Sequence, residues 1–266
     1  MEIKFTERQK REKLYYRYFS QIHPTTSISF DPVMGKERRP WNPYWYVYEE
    51  VGRLFKSGKR ILLDFGCGAG IASIRFAQIG FQVYAFDISD ENIYQANELA
   101  KKYDFLKNID FSVQTAENLE YKDDFFDLIV GIDILHHVEI DRAIPEIHRV
   151  LNKDGIAIFK EHVEAPVFDK LRRSKLITTL FPNHMSFNRH ITFDERKLCS
   201  TDIKYICDKF KFSERKYFTL LSRMDTYLRK VNNTSASFWE KLDSALLYRI
   251  DALSKYCGTV VFKLTK

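Results

Sequence analysis

At 266 residues, 45% hydrophobic and 15% aromatic, the chain has apolar material for a sizeable core and the length of one enlarged α/β domain. It has no apolar run near the ~18 residues that span a bilayer and no secretory leader in its charged start MEIKFTERQKREKLYYRYF, and its four scattered cysteines (Cys67, Cys199, Cys207, Cys257) lack the C-x-x-C spacing of a zinc site. This usage points to a reducing cytoplasm, and a formal charge of +6 permits an anionic partner but is too small an excess to argue for nucleic acid.

The spacing predicts a first helix over Glu7–Phe19, where basic residues are spread among Leu14, Tyr15, Tyr18 and Phe19. Four prolines (Pro24, Pro32, Pro40, Pro43) make 23–43 an extended connector. A second helix follows over Tyr44–Lys56, with Tyr48, Val51, Leu54 and Phe55 near one stripe and Gly58 beyond its end. Residues 1–57 thus read as a helical cap or substrate lid, ahead of a domain over 58–266.

From Arg60 onward strands and helices alternate, the signature of a parallel sheet wound on both faces. Strands are expected near Arg60–Phe65, Gln82–Asp87, Ile109–Gln114, Phe126–Gly131 and Gly155–Glu161, with helices near Ile71–Ile79, Asp90–Tyr103 and Asp141–Leu151. Asn152–Gly155 reads as a turn into the fifth strand. Asp194 reads as the cap of a helix running to about Phe210, followed by a strand near Ser213–Leu220 and a last strand at Thr259–Leu264. The segment 222–256 exceeds a minimal sheet and reads as an insertion. Within it Leu242, Leu246, Ile250 and Leu253 recur at helical spacing, beside Lys241, Arg249 and Lys255. Such a stripe covers a sheet more often than it lies on a membrane. With the basic stretch Lys4–Arg17 it leaves peripheral membrane contact open, and nothing in the sequence sets an oligomeric state.

The stretch Leu62–Gly70 (LLDFGCGAG) carries the chemistry. An apolar strand ends in Asp64, and Gly66, Gly68 and Gly70 follow at alternate positions before a helix. Glycine lets the backbone turn sharply and a ligand approach closely. A dinucleotide loop would read G-x-G-x-x-G, but here the third glycine position holds Ile71. The Asp64 carboxylate would repel a pyrophosphate and suits a ligand carrying an ammonium and a sulfonium. Asp87 closes the next strand, 21 positions after Gly66, where an acid can accept from both ribose hydroxyls or cap the following helix.

With these residues the chain resembles the class I S-adenosylmethionine-dependent methyltransferases, whose first motif is a hydrophobic strand followed by D/E-x-G-x-G-x-G. The resemblance covers Arg60–Glu161 and implies a Rossmann-like, doubly wound, mostly parallel seven-stranded α/β sheet. It implies S-adenosyl-L-methionine as cofactor, S-adenosyl-L-homocysteine as product, and a small-molecule acceptor methylated on oxygen or nitrogen. Methylation of RNA or protein, and a catalytically silent cofactor-binding protein, are the alternatives.

Residue by residue, the resemblance assigns Asp64, Gly66, Cys67, Gly68, Gly70 and Asp87 to the cofactor, with Ile88 beside the adenine. Thr115-Ala116-Glu117 matches the adenine-pocket region, although Thr115 stands where many members carry an acid. Ile132 and Asp133 join them at the end of the fourth strand. Next come adjacent histidines, His136 and His137; histidine titrates near neutrality and suits abstraction of an acceptor proton. By the same resemblance His136 is the base and Glu161 its partner, unless one histidine caps a helix and the other packs. Acceptor contacts are expected from Trp41, Tyr44 and His137, and from His184, Arg189 and His190 in the loop 182–192. The acids and histidines form no recognisable ligand set, so no metal is expected.

Overall fold

A computed structural model of the chain describes residues 5–28, 39–172, 196–225 and 236–266. Seven strands form one sheet: β1 Ile61–Phe65, β2 Gln82–Asp87, β3 Ile109–Val113, β4 Phe126–Ile132, β5 Leu151–His162, β6 Phe212–Phe218 and β7 Thr259–Thr265. Their order is β3-β2-β1-β4-β5-β7-β6. β1 to β5 are parallel, and β7 lies antiparallel between β5 and β6. The helices are α1 Glu7–Ile22, α2 Pro43–Lys56, α3 Ile71–Ile79, α4 Asp90–Lys102, α5 Ile140–Val150, α6 Pro166–Arg172, α7 Ser200–Asp208 and α8 Phe238–Arg249.

Successive strand side chains point to opposite faces. Leu62, Val83, Leu128 and Val130 enter one core with Val51 of α2, Ile74 of α3 and Leu99 of α4. Leu63, Phe86 and Ile129 enter the other with Ile144 and Ile147 of α5 and Ile206 of α7. Burial on both faces is why the central strands read as near-continuous apolar runs. Helix starts follow local chemistry. Asn42 accepts the Trp45 N–H at 3.1 Å, with Pro43 in the first turn of α2. Thr6 and Gln9 form a reciprocal capping box at α1.

Three local expectations are corrected. Asn152–Gly155 is not a separate turn but an irregular part of β5: Leu151 already pairs with Phe126 and Ile156 with Leu128, the register shifting between them. The helix expected from Asp194, which lies outside the described residues, begins at Ser200. Leu198 is held in a bridge with Val163, donating to His162 O and accepting from Glu164 N at 3.0 Å each, so the chain there is extended. The stripe on α8 does not cover the sheet: Leu242 and Leu246 are half-buried and Ile250 is exposed. α8 is anchored by a polar residue instead. Buried Asp243 accepts the N–H groups of Leu220, Leu221 and Ser222 at 3.0, 2.7 and 3.0 Å.

Candidate active site

The strand order reverses between β1 and β4, the place where doubly wound sheets bind ligands outside the carboxyl ends of their strands. A cavity of about 340 Å³ lies there. Its floor comes from Gly66–Gly68, Asp87 and Ile88, one wall from Gln114, Ala116 and Glu117, and its roof from Arg8, Tyr16 and Phe19 of α1. A second cavity of about 270 Å³ shares Gly66–Gly68 and is lined by Asp64, Ile132 and Tyr44. One backbone loop therefore lies between two spaces, Asp64 lining the smaller and Asp87 the larger.

The glycines have different jobs. Gly66 turns with φ +75°, and a Cβ on it would lie 2.5 Å from the Ile134 side chain. Gly68, at φ +52°, faces open space, so its backbone stays accessible from the cavities. Gly70 lines neither cavity, contrary to the cofactor role expected of it. A Cβ there would meet the Ala96 Cβ at 2.8 Å, so this glycine serves the packing of α3 on α4. Cys67 lines both cavities, and burial pushes its thiol pKa well up.

Asp64 is 2% exposed and accepts the Ser73 hydroxyl at 2.5 Å. Burial raises its carboxyl to about 7; the Ser73 hydrogen bond opposes the rise and the Asp87 charge adds to it. Asp87 accepts from the Gly68 N–H at 3.0 Å with one oxygen, and from the Ser89 N–H and the Asn92 amide at 2.9 and 3.0 Å with the other. Burial raises its pKa as well. The side chain that caps α4 is Ser89's, accepting from Asn92 N, not that of Asp87.

After β3, Thr115 lines no described cavity: it is buried and bridged to Asn118, while Gln114, Ala116 and Glu117 turn to the cavity. Glu117 is not a solvated loop acid. It accepts from the Gln9 side-chain amide at 2.8 Å and the Glu139 N–H at 3.0 Å, tying α1 to the loops after β3 and β4.

After β4 the chain passes through Asp133 at φ +58°. Its carboxylate meets Lys160 Nζ at 2.6 and 2.7 Å and the Tyr44 hydroxyl at 3.0 Å, with His162 Nε2 at 3.4 Å. Burial pushes the Asp133 pKa up, but the Lys160 charge and hydrogen bonds together with the nearby His162 and His136 outweigh it, and the net shift is downward. Lys160 is 1% exposed; burial pulls its pKa down, and Asp133 and Tyr44 together outweigh that to leave it raised. The pair fixes the turn that presents the two histidines.

His136 Nδ1 lies 2.7 Å from Glu161 Oε2, and the other oxygen of this fully buried acid accepts the N–H groups of Ile134 and Leu135 at 2.9 and 2.7 Å. With Nδ1–H donated to a carboxylate, Nε2 is the nitrogen that can take a proton. His136 does not line the 340 Å³ cavity. It borders a neighbouring one of about 320 Å³, lined by Arg8 and Arg196 and by Glu139, Asp141 and Asp202. His137 does line the first cavity; its Nε2 is 3.1 Å from the Tyr16 hydroxyl and its Nδ1 3.4 Å from Glu12. Asp133, His136 and Glu161 offer ligand atoms within 4.8 Å of one another, but the carboxylate oxygens already accept from Lys160, two backbone N–H groups and His136.

Among the expected acceptor residues, Tyr44 and His137 stand at the cavities. Trp41 lines none of them; its ring lies 6.4 Å from that of Phe218 and under Lys216 Nζ at 4.5 Å. His184, Arg189 and His190 lie outside the described residues. The sequence reading missed the α1 contribution. Arg8 borders two cavities, its Nε is buried without an acceptor, and it makes no ion pair with any described residue. Residue type gave no signal for this, because Arg8 sits among other basic residues on the helix.

Residues 63–159 match the family described as a methyltransferase domain. The chain is 25% identical over 192 residues to the uncharacterized methyltransferase YcgJ of Bacillus subtilis, covering 68% of this chain and 71% of that one. It is 40% identical over 119 residues to the ubiquinone biosynthesis O-methyltransferase of Pelagibacter ubique, covering 42% of this chain and 48%, about half, of the relative. The fold is shared with a geranyl diphosphate C-methyltransferase from Streptomyces coelicolor solved with Mg2+, geranyl diphosphate and S-adenosyl-L-homocysteine. There the TM-score is 0.61 at 12% identity, over 98% of this chain and 99% of that one.

Proposed function

We propose that the chain is a class I S-adenosylmethionine-dependent methyltransferase that methylates an oxygen or nitrogen of a small-molecule acceptor, leaving S-adenosyl-L-homocysteine. The observation that carries this reading is the pair of buried carboxylates, Asp64 and Asp87, on either side of one glycine loop. Asp87 would take the ribose hydroxyls, Ile88 and Ala116 the adenine faces, and Gln114 or Glu117 its polar edge. Asp64 would hold the ammonium in the smaller cavity, beside Tyr44. Gly66, which lines both spaces, would then stand beside the sulfonium. The bound cofactor supplies an already activated methyl group, so the protein's work is to align the acceptor within ~3–3.5 Å and exclude water.

As the acceptor's lone pair bonds to the methyl carbon, the S–CH3 bond breaks and the acceptor must lose a proton. His136 Nε2 would receive it, with Glu161 holding the ring by Nδ1. The acceptor would then occupy the 320 Å³ cavity, whose lining mixes Arg8 and Arg196 with Glu139, Asp141 and Asp202. The test is a mass-spectrometric screen of phenols, quinols and amines, with and without acidic substituents. One of these acceptor classes should gain one methyl, and His136→Ala and Glu161→Gln should each lower turnover by about 10²–10⁴ with cofactor affinity retained. Undiminished turnover removes the base assignment; cofactor binding without methylation of any class favours a silent binding protein.

A further inference from the structure

α1 is amphipathic in the wrong direction for a surface helix. Its buried side chains are polar (Gln9, Glu12 and Ser20), whereas Leu14, Tyr18 and Ile22 are 69%, 65% and 50% exposed. Helices on globular proteins ordinarily turn the apolar side inward. This orientation is fixed by named contacts. Gln9 donates to Glu117 at 2.8 Å, the Tyr16 hydroxyl meets His137 at 3.1 Å, and the Ser20 carbonyl accepts from the Gln95 amide at 2.8 Å. Rotating the helix to bury the leucine would break all three.

The three apolar side chains follow one another at i, i+4 and i+8, within roughly 80° of arc at about 100° per residue. Lys10 and Arg17 border the stripe on the Leu14 side, Arg11 falls within its arc between Tyr18 and Ile22, and Glu7, the one acid there, pairs with Lys10 at 2.6 Å. An exposed apolar stripe bordered by cations is a surface that calls for a partner. We propose that the outer face of α1 rests on a lipid bilayer containing anionic headgroups, the stripe at the acyl boundary and the basic residues among the phosphates. Charge decides against a second copy of the chain, because a two-fold pairing of this face would set cations against cations. The inner face of the same helix roofs the 340 Å³ cavity, so docking would bring that roof to the membrane.

The test is cosedimentation of the full chain with phosphatidylcholine vesicles, with and without phosphatidylglycerol. The wild type should pellet with the anionic vesicles and far less with neutral ones. Leu14→Ser/Tyr18→Ser/Ile22→Ser should abolish binding. Lys10→Gln/Arg11→Gln/Arg17→Gln should weaken it roughly a hundredfold. Both variants should keep the wild-type circular dichroism spectrum and S-adenosylmethionine affinity, which shows that they fold. A wild type that stays in the supernatant, or that pellets equally in all three forms, overturns the proposal. So does a dimer in sedimentation velocity that the apolar variant dissolves, which would give the face to a second copy.

Discussion

At Asp64 the electrostatics of one residue bears directly on the proposed cofactor contact. Its carboxyl is raised to about 7, by burial first, so near neutrality it is poised to gain from a cation. The sign follows from linkage. A folded pKa above the unfolded one gives stability that is present at low pH and lost as pH rises through about 7. A bound ammonium reverses that cost by favouring the ionised form. S-adenosylmethionine should therefore bind about tenfold more weakly for each pH unit below 7, and calorimetry should show this slope absent in Asp64→Asn. Methylthioadenosine, which has no ammonium, should show only the weaker dependence due to Asp87. Gly70 illustrates the opposite case, a motif residue whose position serves packing. Gly70→Ala forces a side chain into a left-handed backbone and against Ala96, so urea unfolding should show a loss of about 1–3 kcal/mol. Affinity of the protein that remains folded should change little.

At the level of elements, the turn after β4 rests on an ion pair the sequence could not disclose. Lys160 reads as an ordinary charged residue at a strand end, yet it is buried against Asp133 and Tyr44, which are 27 and 116 positions away. Removing one partner leaves a buried charge uncompensated. Lys160→Met should cost about 3–5 kcal/mol, and adding Asp133→Asn should recover much of it in a double-mutant cycle. Because Asp133 is shifted downward, the pair's stabilisation should be present above about pH 4 and fade as the solution is acidified further. The first helix was likewise only half legible. Apolar spacing located it, but the inward face is chosen by Gln9 and its partner Glu117, 108 positions along the chain. Thr115 and Gln114 show the same limit: a motif places the loop, and the backbone decides which neighbour faces the cavity.

For the whole molecule, the alternation of strands and helices was readable because both faces of the sheet are buried, making each central strand apolar without interruption. The antiparallel seating of β7 between β5 and β6 was not readable, since strand direction leaves no local signature. No helix among the described residues is long and apolar enough to cross a membrane. What unifies these scales is a pair of spaces meeting at Gly66–Gly68, with Asp87 lining one and Asp64 the other. The most direct test is a calorimetric titration of the purified chain with S-adenosylmethionine, S-adenosylhomocysteine and NAD. The account predicts one site per chain that takes either sulfur nucleoside competitively and gives no heat with NAD; tighter binding of NAD, or no response to S-adenosylmethionine, would contradict it.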